Sequence, residues 1–220
     1  MSPHGGQFFA GPAGRLEALY RPADAPVPEH GPVAAVVCHP HPAHGGTMHN
    51  KVAYRIARGL MAAGLATLRF NYRGVGLSEG AYDDGVGEQD DICAAIDWLS
   101  GTHPARSLVV AGFSFGARFG MAAGLRHPAV ARVVGVGLAV RLLRGESLVG
   151  GTKPALLIHG SHDEFGAASD VEALLASWNA PTELHVLQGC GHFFDGRLAE
   201  LQTLIQSRAL AEPLGGVHRE

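Results

Sequence analysis

The sequence predicts an α/β fold in a single domain: a mostly parallel sheet with helices on both faces. Three observations predict it. Short apolar runs rich in β-formers alternate along the chain with helix-length amphipathic segments. The run Val33 to Cys38 is apolar at every position, as a strand must be when both of its faces are covered. The chain has 220 residues, 46% hydrophobic and 17% charged, enough for one sizeable core and too few for two comfortable domains.

The elements follow in order. An edge strand is expected at Gln7 to Ala10 and a second strand at Arg15 to Tyr20. Pro22, Pro26, Pro28 and Pro32 then mark a surface loop, because no independent core precedes them for a linker to join. After the strand Val33 to Cys38, the four-residue spacing of Val52, Ile56 and Leu60 predicts a helix from about Asn50 to Ala63, stopped by Gly64. Leu65 to Phe70 is the next strand. Ile92, Ile96 and Leu99 mark a second helix ending near Gly101. A short buried strand, Ser107 to Ala111, leads into a helix from about Phe115 to Arg126, ended before Pro128. Three further strands are expected at Arg132 to Val136, Ala155 to Ile158 and Glu183 to Leu187. Val171, Leu174, Leu175 and Trp178 share one face of an intervening helix, and Leu198, Leu201 and Ile205 mark the closing one. Met1 to Gly6 and the tail Pro213 to Glu220 read as frayed ends. There is no internal repeat and no low-complexity tract.

Composition narrows the function. The formal charge is -3, with Lys and Arg scattered rather than striped, so no nucleic-acid partner is expected. Cys38, Cys93 and Cys190 lie far apart without C-x-x-C spacing, which reads as reduced thiols. Met1 to Gly6 lacks the charged and apolar regions of a secretory leader, and no membrane association is expected; the predicted compartment is the cytoplasm.

The sharpest motif is Gly112-Phe113-Ser114-Phe115-Gly116, directly after a buried strand and opening a helix. A serine on so tight a turn needs small neighbours two residues away on either side, where the strand and helix backbones close together. The turn lifts the Ser114 hydroxyl above the sheet edge and puts the positive end of a helix beneath any oxyanion formed there. Asp163, in His159-Gly160-Ser161-His162-Asp163, follows a later parallel strand and can reach the same sheet edge, where open α/β sheets place their ligands. His192, in Gly189-Cys190-Gly191-His192-Phe193, follows the last strand. Ser114 as nucleophile, Asp163 as orienter and His192 as base form the expected set. Glu164 and Asp195 are rival carboxylates, and His162 and His185 rival bases, although His185 falls inside a strand.

A fourth stretch, Cys38-His39-Pro40-His41-Pro42-Ala43-His44-Gly45-Gly46-Thr47, follows the first apolar strand, where the other half of an oxyanion hole is supplied. Pro40 and Pro42 have no N–H, so the donor expected to join Phe115 is the backbone N–H of His41. His39, His41, His44 and His49 also invite a metal reading. Proline-spaced histidines on an extended loop do not guarantee convergence and no carboxylate lies among them, so neither metal nor cofactor is expected. The glycines of Asn71 to Gly80 superficially suggest a phosphate loop, but the G-K-[ST] ending is missing. Arg73 is expected to anchor neighbouring segments there.

With these residues in place, the chain resembles the α/β-hydrolase superfamily over nearly its whole length, closest to a small lidless bacterial branch allied to dienelactone hydrolases and carboxylesterases. The matching segments are His39-Pro40-His41-Pro42, Gly45-Gly46-Thr47-Met48, Asn50-Lys51-Val52, Arg69 to Gly76, Gly112 to Gly116, His159-Gly160 with Asp163, and Gly191-His192-Phe193-Phe194. The resemblance implies about eight strands, a Ser-His-Asp triad and no cofactor. Dienelactone hydrolases carry a cysteine where this chain has Ser114, so lactone specificity does not follow.

Superfamily members with selective pockets often insert a helical cap between the sixth and seventh strands. Here Gly137 to Lys153 leaves room for no more than a helical turn around Leu142 and Leu143. The site is therefore expected to be shallow, walled by Phe115, Phe193 and Tyr72, and suited to short-chain or exposed esters. The expected activity is a carboxylesterase acting through an acyl-serine on a small-molecule ester, as a monomer or homodimer. A thioesterase, acyltransferase or peptidase could use the same residues, and a non-catalytic binding scaffold is the alternative of a different class.

Overall fold

A computed structural model describes residues 7–142, 148 and 150–220. The readings of Met1 to Gly6 and of a turn at Leu143 fall outside the described residues. Nine strands form one sheet: β1 (Gln7–Gly11), β2 (Gly14–Arg21), β3 (Ala34–Cys38), β4 (Ala66–Phe70), β5 (Leu108–Phe113), β6 (Val130–Val136), β7 (Ala155–Gly160), β8 (Thr182–Leu187) and β9 (Val217–Arg219). Their order across the sheet is β1-β2-β4-β3-β5-β6-β7-β8-β9. The pairings of β2 with β1 and β4 are antiparallel, and the other six are parallel.

The parallel strands carry a core on each face, which explains their unbroken apolar runs. Along β3, Ala34, Val36 and Cys38 face one core while Ala35 and Val37 face the other, as the two-residue strand period requires. On the first face lie the helices α2 (Val86–Thr102), α3 (Phe115–Arg126) and α4 (Ala168–Leu175), contributing Ile92, Ile96, Phe119 and Val171. On the second lie α1 (Lys51–Ala62) and α5 (Leu198–Arg208), contributing Val52, Ile56, Leu60, Leu201 and Ile205. The two helices close together at Gly59, where a Cβ would come within 2.7 Å of the Gln202 carbonyl oxygen and 2.8 Å of the Ile205 side chain.

Local chemistry sets the helix starts. The Asn50 side chain accepts from the N–H groups of Val52 and Ala53, capping α1. Glu88 accepts from the Gly85 N–H ahead of α2, and Asp170 from the Ala167 N–H ahead of α4. Trp178 lies beyond the end of α4 but still packs into the core, its indole N–H bonded to the Lys153 carbonyl oxygen at 2.8 Å. Between β6 and β7 the only regular element among the described residues is a 3-10 turn, Val140–Leu142. No described helix is long and apolar enough to cross a membrane.

The tail departs from expectation. It is not frayed from Pro213 onward: β9 pairs in parallel with β8 and makes the sheet nine-stranded rather than eight. The Leu214 N–H bonds to Glu183 at 3.0 Å, and His185 Nδ1 bonds to Glu220 at 3.0 Å. Glu183 is buried, held also by Arg208 through two hydrogen bonds of 2.7 and 2.8 Å. Burial alone would raise its pKa, but the hydrogen bonds from Arg208, His185 and Leu214 outweigh that and hold it at about 2. Backbone pairing and a buried carboxylate hold this strand, so no apolar pattern announces it.

Candidate active site

The sheet edge formed by the C-terminal ends of the parallel strands gathers Ser114, Asp163 and His192. Ser114 stands between β5 and α3 with φ 56° and ψ −115°, a conformation a residue with a side chain rarely adopts. The flanking glycines make that turn possible. A Cβ on Gly112 would lie 2.2 Å from the Gly116 carbonyl oxygen, and one on Gly116 would lie 2.3 Å from the Cys38 carbonyl oxygen. The second contact presses the start of α3 against the end of β3, so the histidine loop and the serine turn share one backbone joint.

His192 lies in the loop after β8, and its imidazole is buried. Its Nε2 is 2.9 Å from Ser114 Oγ and its Nδ1 is 2.8 Å from Asp163 Oδ2. A carboxylate can only accept, so Nδ1 carries the proton and Nε2 is left to accept from the serine hydroxyl. The ring sits among Phe113, Phe165 and Phe193, with centroids 4.9, 4.6 and 5.2 Å away. Asp163, also buried, receives a second bond from the Phe165 N–H at 2.9 Å.

The acid and base loops are tied to each other. The N–H of Ser161 bonds to the Leu187 carbonyl, and that of His162 to the Cys190 carbonyl, at 3.0 and 2.9 Å. The Gly189 N–H bonds to Ser161 Oγ at 2.9 Å and the His192 N–H to Glu164 at 3.3 Å. A Cβ on Gly160 would meet the Cys190 carbonyl oxygen at 2.3 Å, so only glycine lets the loops close to this distance.

The rival residues have other partners. Glu164 meets the His192 backbone, not its ring, and Asp195 pairs with Lys51. His185 is bound by Glu183 and Glu220 at the far strand.

In the histidine loop, His39 and His41 differ. His39 is buried, donates from Nδ1 to the Pro40 carbonyl at 2.7 Å and accepts at Nε2 from the Tyr72 N–H at 3.3 Å. Burial, only partly opposed by the Pro40 hydrogen bond, depresses its pKa to about 4, so the ring is neutral. His41 accepts at Nδ1 from the Ala43 N–H at 3.2 Å and bonds through Nε2 to the Tyr82 hydroxyl at 3.3 Å. Its pKa is also lowered, by burial and then by His44, against an opposing pull from Asp84. Among the described residues, the backbone N–H groups of His41 and Phe115 have no acceptor. Pro42–His44 forms a short 3-10 turn rather than an extended loop. No group of three or more His, Cys, Asp or Glu among the described residues is placed to hold a metal ion.

Two cavities flank Ser114. One, of about 280 Å³, is lined by Tyr82, Asp84, Phe115, Arg118, Phe119 and Ala139. The other, of about 430 Å³, is lined by His44, Phe113, Phe165, His192 and Phe193. His41 and Ser114 border both. Of the three walls expected from sequence, Phe115 and Phe193 line cavities but Tyr72 does not. Tyr72 is fully buried, edge-on beneath Phe115 at 5.6 Å and packed on His39 at 4.4 Å, so it supports the site from below. The walls missed include Tyr82, Asp84, Arg118, Phe119 and Phe165; of these only Phe165, two residues after Asp163, carried any hint. Arg73 anchors as expected, bonding through its guanidinium to buried Asp91 at 2.7 Å.

Comparison with known proteins places the chain in a family and a fold. The pattern of the X-Pro dipeptidyl-peptidase (S15) family matches residues 16–151. A Rickettsia prowazekii protein of uncharacterised function is 34% identical over 207 residues, spanning 90% of this chain and 85% of its own. An α/β serine hydrolase homologue from Coxiella burnetii is 37% identical with a TM-score of 0.87, over 96% of this chain and 99% of that one. A serine hydrolase without a lid from Xanthomonas campestris is 32% identical with a TM-score of 0.83, over 92% of each chain. The chain therefore belongs to the X-Pro dipeptidyl-peptidase (S15) family, and is a serine hydrolase of the lidless α/β-hydrolase fold.

Proposed function

We propose that the protein is a carboxylesterase that cleaves short-chain or exposed esters through an acyl-serine, with Ser114 as nucleophile, His192 as base and Asp163 as orienter. One observation carries the reading: the continuous hydrogen-bond line from Ser114 Oγ through the His192 ring to Asp163, with links of 2.9 and 2.8 Å. His192 Nε2 takes the serine proton as Oγ attacks the ester carbonyl. The carbonyl oxygen, now an oxyanion, is held by the N–H groups of Phe115 and His41, which are fixed before the charge develops. His192 then returns the proton to the leaving alcohol as the C–O bond breaks. Water, deprotonated by the same imidazole, releases the acid and restores Ser114. Asp163 fixes the tautomer throughout and stabilises the imidazolium. The chemistry needs no cofactor.

The test is a series of p-nitrophenyl esters from acetyl to dodecanoyl, with Ser114→Ala as control. Each covered CH₂ is worth about 0.8 kcal/mol, but only where walls cover it. We expect kcat/KM to peak at acetyl to butyryl and fall by octanoyl; a steady rise through dodecanoyl would overturn the short-chain reading. A peptidase is the second reading, because the matched family is described by its X-Pro dipeptidyl activity. The match spans Ser114 but ends before Asp163 and His192, so it bears on the nucleophile half of the site alone. Turnover of matched ester, thioester and anilide substrates separates the two.

A further inference from the structure

Resting on the esterase reading, we infer that the two cavities divide the substrate, and that the acyl half is an aromatic ring bearing a hydrogen-bonding substituent. The direction follows from the proton. The leaving oxygen must receive its proton from His192 Nε2, so the alcohol lies on the His192 side of Ser114. That side is the larger cavity, lined by His192, Phe165 and Phe193. With the carbonyl oxygen turned toward the N–H groups of His41 and Phe115, the remaining substituent of the carbonyl carbon points away from His192. It enters the smaller cavity, which His192 does not line.

The walls of that smaller cavity set the acyl class. Phe115 and Phe119 lie with centroids 4.4 Å apart, and Tyr82 is 6.4 Å from Phe115. The place of Phe119 is built in at Gly85, which has φ 88° and whose Cβ would strike the Phe119 ring at 2.2 Å. Aromatic walls favour a planar ring over a flexible chain of equal size, because ring pairs gain from their quadrupoles and cost less rotamer entropy. The same cavity is also lined by the polar residues Tyr82, Asp84 and Arg118, the last with its guanidinium over Phe119 at 4.6 Å. A saturated chain that fills this space displaces water from the polar ends of Tyr82 and Asp84 and returns no hydrogen bond. An aryl acyl group with a hydroxyl or amino substituent replaces the water it displaces. On the other side, Phe165 and Phe193 are 38% and 43% exposed beside His192, an open apolar flank that suits an apolar or aromatic alcohol.

The experiment crosses two acyl groups, 3-(4-hydroxyphenyl)propanoyl and octanoyl, with two alcohols, benzyl alcohol and ethylene glycol. Wild-type protein is expected to prefer the hydroxyaryl acyl group by roughly tenfold in kcat/KM, and the benzyl ester by a few-fold. Phe119→Leu is expected to cut the acyl preference by about fivefold and leave the alcohol preference within about twofold. Phe165→Leu is expected to do the reverse, and Asp84→Asn to reduce the advantage of the hydroxyl over unsubstituted 3-phenylpropanoyl. Wild-type protein without an acyl preference, or variants whose effects exchange sides, would overturn the inference even while p-nitrophenyl acetate is turned over. Absence of ester turnover in wild type, with matched anilides cleaved, would overturn the esterase reading alone. The same cross of acyl and amine halves on anilides and benzylamides would then decide the division of the site.

Discussion

The two edges of the parallel sheet region each hold a buried histidine against a carboxylate, and only one of them is built for chemistry. At the functional edge, His192 gives Nδ1 to Asp163 and keeps Nε2 for the Ser114 hydroxyl. At the β8–β9 side of the sheet, His185 faces Glu183 through Nε2 and Glu220 through Nδ1. Each ring nitrogen of His185 therefore faces a carboxylate, and neither faces a hydroxyl it could deprotonate. His185 is a clamp that pins β9, whereas the His192 assembly keeps one nitrogen aimed at the serine hydroxyl as an acceptor. The chemical role of a buried imidazole is set by its second nitrogen.

The strongest way to break that contrast is mutation at the functional edge. Ser114→Ala and His192→Ala are each expected to lower kcat by roughly five to six orders of magnitude, and the double variant by little more, because the residues act as a unit. Asp163→Asn is expected to cost on the order of 10⁴. Steady-state kinetics on p-nitrophenyl acetate measures both, and a single variant that kept more than about a tenth of wild-type activity would sink the assignment.

The pH dependence of stability sharpens the contrast next. Folded His39 refuses the proton that the unfolded chain accepts below about 6.5, since its pKa falls to about 4 in the folded state. Its stabilisation is complete above pH 6.5 and is lost as pH falls toward 4, amounting to about 3 kcal/mol. Glu183, depressed from 4.5 to about 2, stabilises fully above pH 4.5 and loses its contribution as pH falls toward 2. Urea unfolding across pH 2 to 8 would resolve the two windows. His39→Gln is expected to flatten the upper one and Glu183→Gln the lower.

At the clamp, His185→Ala is expected to cost about 1–3 kcal/mol of stability by leaving acceptors unmet, with kcat changed by less than about twofold. Thermal unfolding and kinetics on one sample check it; a large fall in kcat at unchanged stability would erase the distinction between the two edges. The smallest expected effect is none. If His39, His41, His44 and His49 only shape a loop, prolonged treatment with EDTA or phenanthroline leaves activity unchanged, whereas loss restored by zinc would revive the metal reading.

What the sequence made legible is what local geometry enforces. Gly112 and Gly116 are demanded by backbone contacts within one turn and its neighbour, so the serine motif announces itself. The fully apolar run of β3 follows in the same way from burial on both faces. Strand β9 was hidden because its side chains are exposed or half-buried and its hold is a set of polar contacts from distant residues. Sequence reasoning makes Tyr72 a wall and misses Tyr82, since the direction in which each leaves the β4–α2 connection depends on His39, Phe115 and His41. Asp84 and Arg118 lie on different segments yet line one cavity, which spacing along the chain does not encode.

The welded acid and base loops carry a consequence for thermal motion. Four hydrogen bonds and the close contact at Gly160 join them, while Ser114 belongs to a separate backbone joint with β3. Heating is therefore expected to leave the Asp163–His192 spacing almost constant and to express itself in the gap between His192 and Ser114. The imidazole and its carboxylate swing as one arm over a fixed hydroxyl, so the first property to soften is the frequency of productive proton transfer, not the tautomer that makes it possible. Temperature-dependent NMR of the His192 ring would show it: a steady Nδ1–H resonance beside a broadening Nε2 signal, with the opposite order ruling the arm out.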